Sequence, residues 1–131
     1  MRRKFWITVI ARVLFAATCA VIVLSMSNIV VEAAELVMFE SPGCPWCARW
    51  RAEVGPAYSR SEEGRRAPLR NVALIHEPDF HLDSPVTVSP TFVLVDDGRE
   101  VGRIVGYPGP DFFWGLLDGL MKKLSPTAVK N

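Results

Sequence analysis

Cys44 and Cys47, with only Pro45 and Trp46 between them, stand where a short apolar run gives way to the start of a helix. Residues Glu35–Glu40 (ELVMFE) have the length of a strand, and their continuous apolar run predicts burial on both faces. Ser41-Pro42-Gly43 breaks that strand. Pro45 suits the first helical position, where a missing N–H costs nothing, so a helix is expected from Cys44 toward Val54. A spacing of three on a helix turns both sulfurs to one face. A cysteine at the helix start also meets unpaired N–H groups and the positive end of the dipole, which favour its thiolate. Such positions lower a thiol pKa from ~8.5 to between ~3.5 and ~7.5. Cys44 is therefore the expected nucleophile toward a disulfide. Cys47 is expected to resolve the mixed disulfide, leaving a Cys44–Cys47 disulfide.

Two other uses of the pair compete with exchange. A purely structural disulfide over so short a loop stabilises by only roughly 2 kcal/mol, a weak reason for the spacing. A structural zinc site takes four protein ligands, and the chain has no second Cys-x-x-Cys. A copper carrier using both thiolates and a histidine is chemically sound, since soft thiolates select Cu(I). His76 and His81 could supply that histidine, but neither has ligand-like spacing to the cysteines and no Met-rich or His-rich segment accompanies them. They read more simply as loop residues. No metal or other cofactor is expected.

The start of the chain says where this chemistry would occur. Arg2, Arg3, Lys4 and Arg12 precede residues 13–31, which carry no charge. A basic start, an apolar stretch and then small residues form the pattern of a secretory signal. Cleavage is expected after Ala33, with Val31 and Ala33 at the −3 and −1 positions. The alternative is an uncleaved anchor, because 13–31 is long enough to cross a bilayer, although Thr18, Ser25, Ser27 and Asn28 weaken such a span. Either way the basic flank stays inside and residues 34–131 lie outside. Ala16-Ala17-Thr18 before Cys19 is a poor lipidation box. Removing residues 1–33 takes away four basic residues and one acidic one, which turns the formal charge from +1 to −2. A chain so nearly neutral is no dedicated nucleic-acid binder. It would touch a membrane only through its first segment.

Along residues 34–131 the elements alternate. After the helix, Gly55-Pro56 bends or ends it, and a second helical stretch is expected over 58–66, stopped by Gly64 and the loop through Pro68. Residues 71–76 (NVALIH) predict a strand parallel to the first, reached by a crossover through the helix. Pro78 and Pro85 make 76–89 a loop. Residues 91–95 (TFVLV) and 100–107 predict an antiparallel pair joined at Asp97-Gly98. Asp111 is expected to cap a final helix, with Phe113, Leu116, Leu117, Leu120 and Leu124 on its buried stripe and Lys122 and Lys123 near its end. The class is α/β, in the order β-α-β-β-β-α, with a mixed four-stranded sheet flanked by helices.

The strand, the Ser-Pro-Gly-Cys-Pro-Trp-Cys turn, the helix, and Ser89-Pro90-Thr91-Phe92 before a hairpin together resemble the thioredoxin-like fold. Within it, the ESPGCPWCxxW segment, Pro68-Leu69-Arg70 and SPTFVLVDDGREVGRIVGYPG are similar to the small exported thioredoxins of bacterial sulfur-oxidation (Sox) systems. The resemblance implies a cis Pro90 facing the cysteines and a Ser89 backbone that pairs with a substrate chain. It also implies a periplasmic reductase that keeps a partner protein's cysteine in its thiol state and is recharged by a membrane thiol-electron donor. A disulfide oxidase or isomerase of the same fold is the alternative.

Three departures from the thioredoxin pattern stand out. Gly43 replaces the tryptophan before the first cysteine, Pro45-Trp46 replaces Gly-Pro, and Met38 falls where thioredoxin buries an aspartate. The Cys-Pro-aromatic-Cys turn is closer to that of glutaredoxin. Glu40 is the nearby carboxylate that could take over as proton acceptor, although an exposed strand-end residue is the plainer reading. Pro45 and Trp46 are expected at the substrate surface, with Trp50 and Trp114 in the core and Arg49 and Arg51 on a solvated helix face. Gly106 is expected to permit close backbone packing.

Overall fold

The strand before the cysteines is central to the sheet. In the computed structural model, which describes residues 33–124, β1 (Glu35–Glu40) pairs in parallel with β2 (Leu69–Ala73) and antiparallel with β3 (Thr91–Asp96). β4 (Arg99–Val105) completes a sheet of order β2-β1-β3-β4. The expected leader, including Cys19 and the membrane-anchor alternative, lies outside the described residues except for Ala33. Leu36, Val37, Met38 and Phe39 are all buried, so β1 is covered on both faces as its unbroken apolar run requires. The turn between β3 and β4 has positive φ at both Asp97 (51°) and Gly98 (68°), the conformation that makes Asp-Gly a hairpin signal.

The helices are α1 (Pro45–Glu53), α2 (Gly55–Tyr58), α3 (Glu62–Arg66) and α4 (Pro110–Met121). On one face of the sheet, Leu36, Met38 and Phe92 pack with Trp50 of α1 and Phe113 and Leu117 of α4. On the other, Val37, Phe39, Val93 and Val95 are covered by Leu74, Phe80, Leu82 and Val86 from the segment after β2.

Several boundaries differ from the sequence reading; β4, expected over 100–107, runs 99–105 and ends before the positive φ of Gly106. β2 begins and ends earlier than 71–76, because its partner β1 ends at Glu40, whose carbonyl takes the last bond from Leu74 N–H at 2.8 Å. Ile75, the apolar residue that lengthened the expected strand, is 94% exposed. Only Glu62–Arg66 of the stretch 58–66 forms a helix of its own, Tyr58 ending α2, and the Ser61 hydroxyl caps it by accepting Gly64 N–H at 2.9 Å. Gly64 lies inside that piece and stops nothing; a Cβ there would come within 1.9 Å of the Tyr58 carbonyl oxygen, so the close approach is what requires glycine. In α4, Gly109 occupies the cap position and Asp111 the first turn, while Met121 joins the buried stripe and Leu116 faces solvent.

The segment over the second face is tied to β4. His81 pairs through its backbone with Gly98 and Glu100. Arg103 Nε donates to Glu100 Oε1 at 2.6 Å, and Arg103 also donates to the Ser84 carbonyl at 2.8 Å. The Glu100 side chain is only 3% exposed. Burial works to raise its pKa, but the hydrogen bonds from Arg103 and from the Asp83 amide outweigh it and hold the carboxyl below its ordinary value. A folded-state pKa below the unfolded ~4.3 contributes stability above that pH, and the contribution is lost as pH falls through the folded value. Arg103→Ala, which strands a buried carboxylate, is expected to cost about 3 kcal/mol at pH 7. Urea unfolding at pH 7 and pH 3 checks it. The deficit against wild type should shrink at the lower pH, and a deficit equal at both would contradict the pairing account.

Candidate active site at Cys44 and Cys47

Cys44 is the cap residue of α1, with extended backbone (φ −64°, ψ 110°), and Pro45 is the first helical residue. Its sulfur accepts the Cys47 backbone N–H at 3.1 Å. The two cysteines form a disulfide with Cα atoms 5.3 Å apart. Cys44 is half-buried, whereas Cys47 is 1% exposed and packs in the core cluster with Met38 and Trp50. Cys44 is therefore the more accessible of the two sulfurs, and the Cys47 N–H at the helix start is aimed at it.

A groove of about 550 Å³ opens beside Cys44, lined by Glu40, Ser41, Pro45, Arg51 and Asn71 among others. The Glu40 carboxylate pairs there with Arg51. Pro45 and Trp46 are exposed.

From the other side comes the turn before β3. The Ser89–Pro90 peptide is cis. Ser89 brings its side chain into the site as well. Its Oγ accepts the Ser41 N–H at 2.8 Å and lies 3.3 Å from Cys47 Sγ. A disulfide sulfur carries no proton, so the Ser89 hydroxyl is the donor in that contact. With Ser41 fixing the oxygen, the hydroxyl proton is left for the sulfur. Sequence reading missed this role, because 42 residues separate Ser89 from Cys47 and 48 separate it from Ser41. The Pro90 carbonyl accepts Gly106 N–H at 2.7 Å. A Cβ on Gly106 would meet nothing within 4 Å, so its left-handed backbone (φ 77°), and not close packing, calls for glycine.

The histidines are elsewhere. His81 bonds at the Gly98 turn, the far end of β3 from Pro90. Together with His76 it lines a separate hollow of about 420 Å³ under Phe39 and Phe80. Among the described residues no three His, Cys, Asp or Glu side chains gather to hold a metal.

Comparison with known proteins rests on structure. The periplasmic thioredoxin SoxS from Paracoccus pantotrophus, solved in its reduced form, is 47% identical to this chain. The match covers 69% of this chain and 97% of that one, with a TM-score of 0.66. The chain belongs to the thioredoxin-like superfamily. Mitochondrial thioredoxin 3 from Saccharomyces cerevisiae shares the fold at 19% identity, covering 74% of this chain and 89% of that one, with a TM-score of 0.52. The Malassezia sympodialis thioredoxin does so at 16% identity, 67% and 75% coverage, and a TM-score of 0.50. No protein-family model and no curated protein matches the chain. This thioredoxin-like protein is a thiol–disulfide oxidoreductase whose redox centre is Cys44–Cys47. Met38 is fully buried and apolar, and the Ser89 hydroxyl lies 3.3 Å from the inner sulfur.

Proposed function

We propose that this protein works outside the cytoplasm as a reductase of a partner protein's cysteine, in a sulfur-oxidation setting. The observation that carries the reading is its 47% identity to a periplasmic Sox thioredoxin along 97% of that chain. In the forward direction, the Cys44 thiolate attacks one sulfur of the partner's disulfide. That S–S bond breaks, and the departing partner thiolate takes up a proton. Cys47, its thiolate steadied by the Ser89 hydroxyl, then attacks Cys44 Sγ and displaces the second partner thiolate. Glu40, which lines the groove with Cys44, is our proposed acceptor for the proton that Cys47 gives up. The partner gains two electrons; of the two protons that make its thiolates thiols, one comes from Cys47 by way of Glu40 and one from solvent, and the protein is left with its Cys44–Cys47 disulfide. A membrane thiol-electron donor would restore the dithiol.

During exchange the Ser89 and Pro90 backbone, with Pro45 and Trp46, would hold the partner's extended chain beside the sulfurs. Export through the basic and apolar leader is part of the same proposal, with cleavage leaving Ala34 first. N-terminal sequencing of protein from the native host is expected to begin at Ala34; intact Met1 in washed membranes would instead mark a retained anchor. Mixing the reduced protein with insulin tests the activity directly. Insulin should gain free thiols in step with formation of the Cys44–Cys47 disulfide, and an insulin left oxidised would count against a reductase.

A further inference from the structure

Trp46 lies between the two cysteines and is 51% exposed. An exposed indole would ordinarily sample several rotamers. Here the Arg49 guanidinium carbon stands 5.7 Å from the centre of its ring, within cation–π range. Arg49 is itself anchored, its Nε donating to Glu53 Oε1 at 2.8 Å. The Tyr107 hydroxyl donates to the other oxygen, Glu53 Oε2, at 2.7 Å. Tyr107 is buried, and it follows Gly106, whose N–H holds the Pro90 carbonyl. One chain of contacts therefore runs from the turn after β4, through α1, to the indole beside the disulfide. Hydrogen bonds from Arg49 and then Tyr107 hold the Glu53 carboxyl below its ordinary pKa, so it is an anion at neutral pH. The Tyr107 hydroxyl, pushed up to about 12 by burial and then by Glu53, remains a donor.

We propose that Arg49 is a positioning residue that fixes Trp46 as an apolar plate at the rim of the redox centre, where it receives an uncharged, apolar side chain next to the target cysteine of a partner protein. The proposal rests on the reductase reading above and names what that reductase prefers. The Arg49 cation is matched by the Glu53 anion, so the plate presents no spare charge to select an acidic or basic neighbour. An indole already held in place also loses little conformational freedom when a partner docks, which favours large rigid aromatic contacts.

The test uses two peptide–glutathione mixed disulfides, one with leucine and one with glycine on both sides of the peptide cysteine, and dithiothreitol as the electron source. Wild type is expected to show about five-fold higher kcat/KM on the leucine probe, with the difference in KM. Arg49→Ala should bring that ratio close to one. Arg49→Lys, which keeps a cation over the ring, should restore most of it. Because the ratio is internal to each protein, a general loss of folding or activity cancels out of it. A wild type with no preference, or an Arg49→Ala protein that keeps it, overturns the proposal while leaving the reductase reading intact. A wild type that reduces neither probe overturns the reductase reading and the proposal with it.

Discussion

Trp50→Ala is expected to lower the stability of the domain by about 4 kcal/mol, a large share of what a small domain has. Trp50 has no exposed surface. Its ring centre lies 5.1 Å from that of Phe92, 5.5 Å from Phe113 and 6.0 Å from Tyr58. It therefore joins α1 to β3, to α4 and to α2 in one aromatic cluster. It also follows Cys47 by one helical turn, while Phe92 follows Pro90 by two residues, so the same ring backs both halves of the redox centre. Truncation leaves a cavity that four elements would have to move to close. Urea unfolding measures the loss, and a midpoint shift with unchanged slope would mark a pure stability effect. Trp50→Phe is expected to cost much less. The indole Nε1–H is buried with no hydrogen-bond partner among the described residues, so the smaller ring gives up volume without losing a bond. A Trp50→Ala protein within 1 kcal/mol of wild type would contradict this account of the core.

The largest kinetic effect is expected at Cys44. Cys44→Ser should reduce turnover of a protein disulfide by roughly 10³-fold or more, since no exposed sulfur remains to attack. Cys47→Ser should behave differently, reacting once through Cys44 and stopping at a mixed disulfide that mass spectrometry can read. Burial of Cys47 is the reason for the asymmetry: at 1% exposure it can reach Cys44 but not a partner. Stable adducts through Cys47 in the Cys44→Ser protein would reverse the assignment. Ser89→Ala keeps both sulfurs and removes only the hydroxyl donor on Cys47. Losing one hydrogen bond to a thiolate is expected to slow release from the mixed disulfide about ten-fold. Formation of that mixed disulfide, which depends on Cys44, should change far less.

Much of this arrangement is legible in the sequence because it is local. The break at Ser41-Pro42-Gly43 and the proline at the first helical position define the junction that carries the cysteines, and Asp97-Gly98 defines the hairpin. Arg49 reads in the sequence only as part of a solvated helix face, and its bond to Glu53 one turn on emerges from the structure. What sequence reading could not supply is set by contacts between segments and by local backbone conformation. The length of β2 follows from where β1 ends, and Gly64 from the approach of the Tyr58 carbonyl. The cap of α4 depends on a left-handed Gly109 that no pattern of apolar residues reveals. At the redox centre, the Ser41–Ser89–Cys47 contacts and the bond from Tyr107 to Glu53 join residues 42 to 54 positions apart. Motif spacing identifies the sulfurs; only the fold shows which hydroxyl faces the inner one.

The reduction potential of the Cys44–Cys47 couple tests the central claim most directly. A reductase must hold its dithiol poised to give electrons to a partner, which places the couple near the thioredoxin value of ~−270 mV. Equilibration of the protein with dithiothreitol buffers of graded ratio, followed by counting of alkylated Cys44 and Cys47, yields the value. A potential in the range of about −250 to −290 mV is the expected result. A potential near ~−120 mV, that of a strong disulfide donor, would contradict the account and make this protein an oxidase.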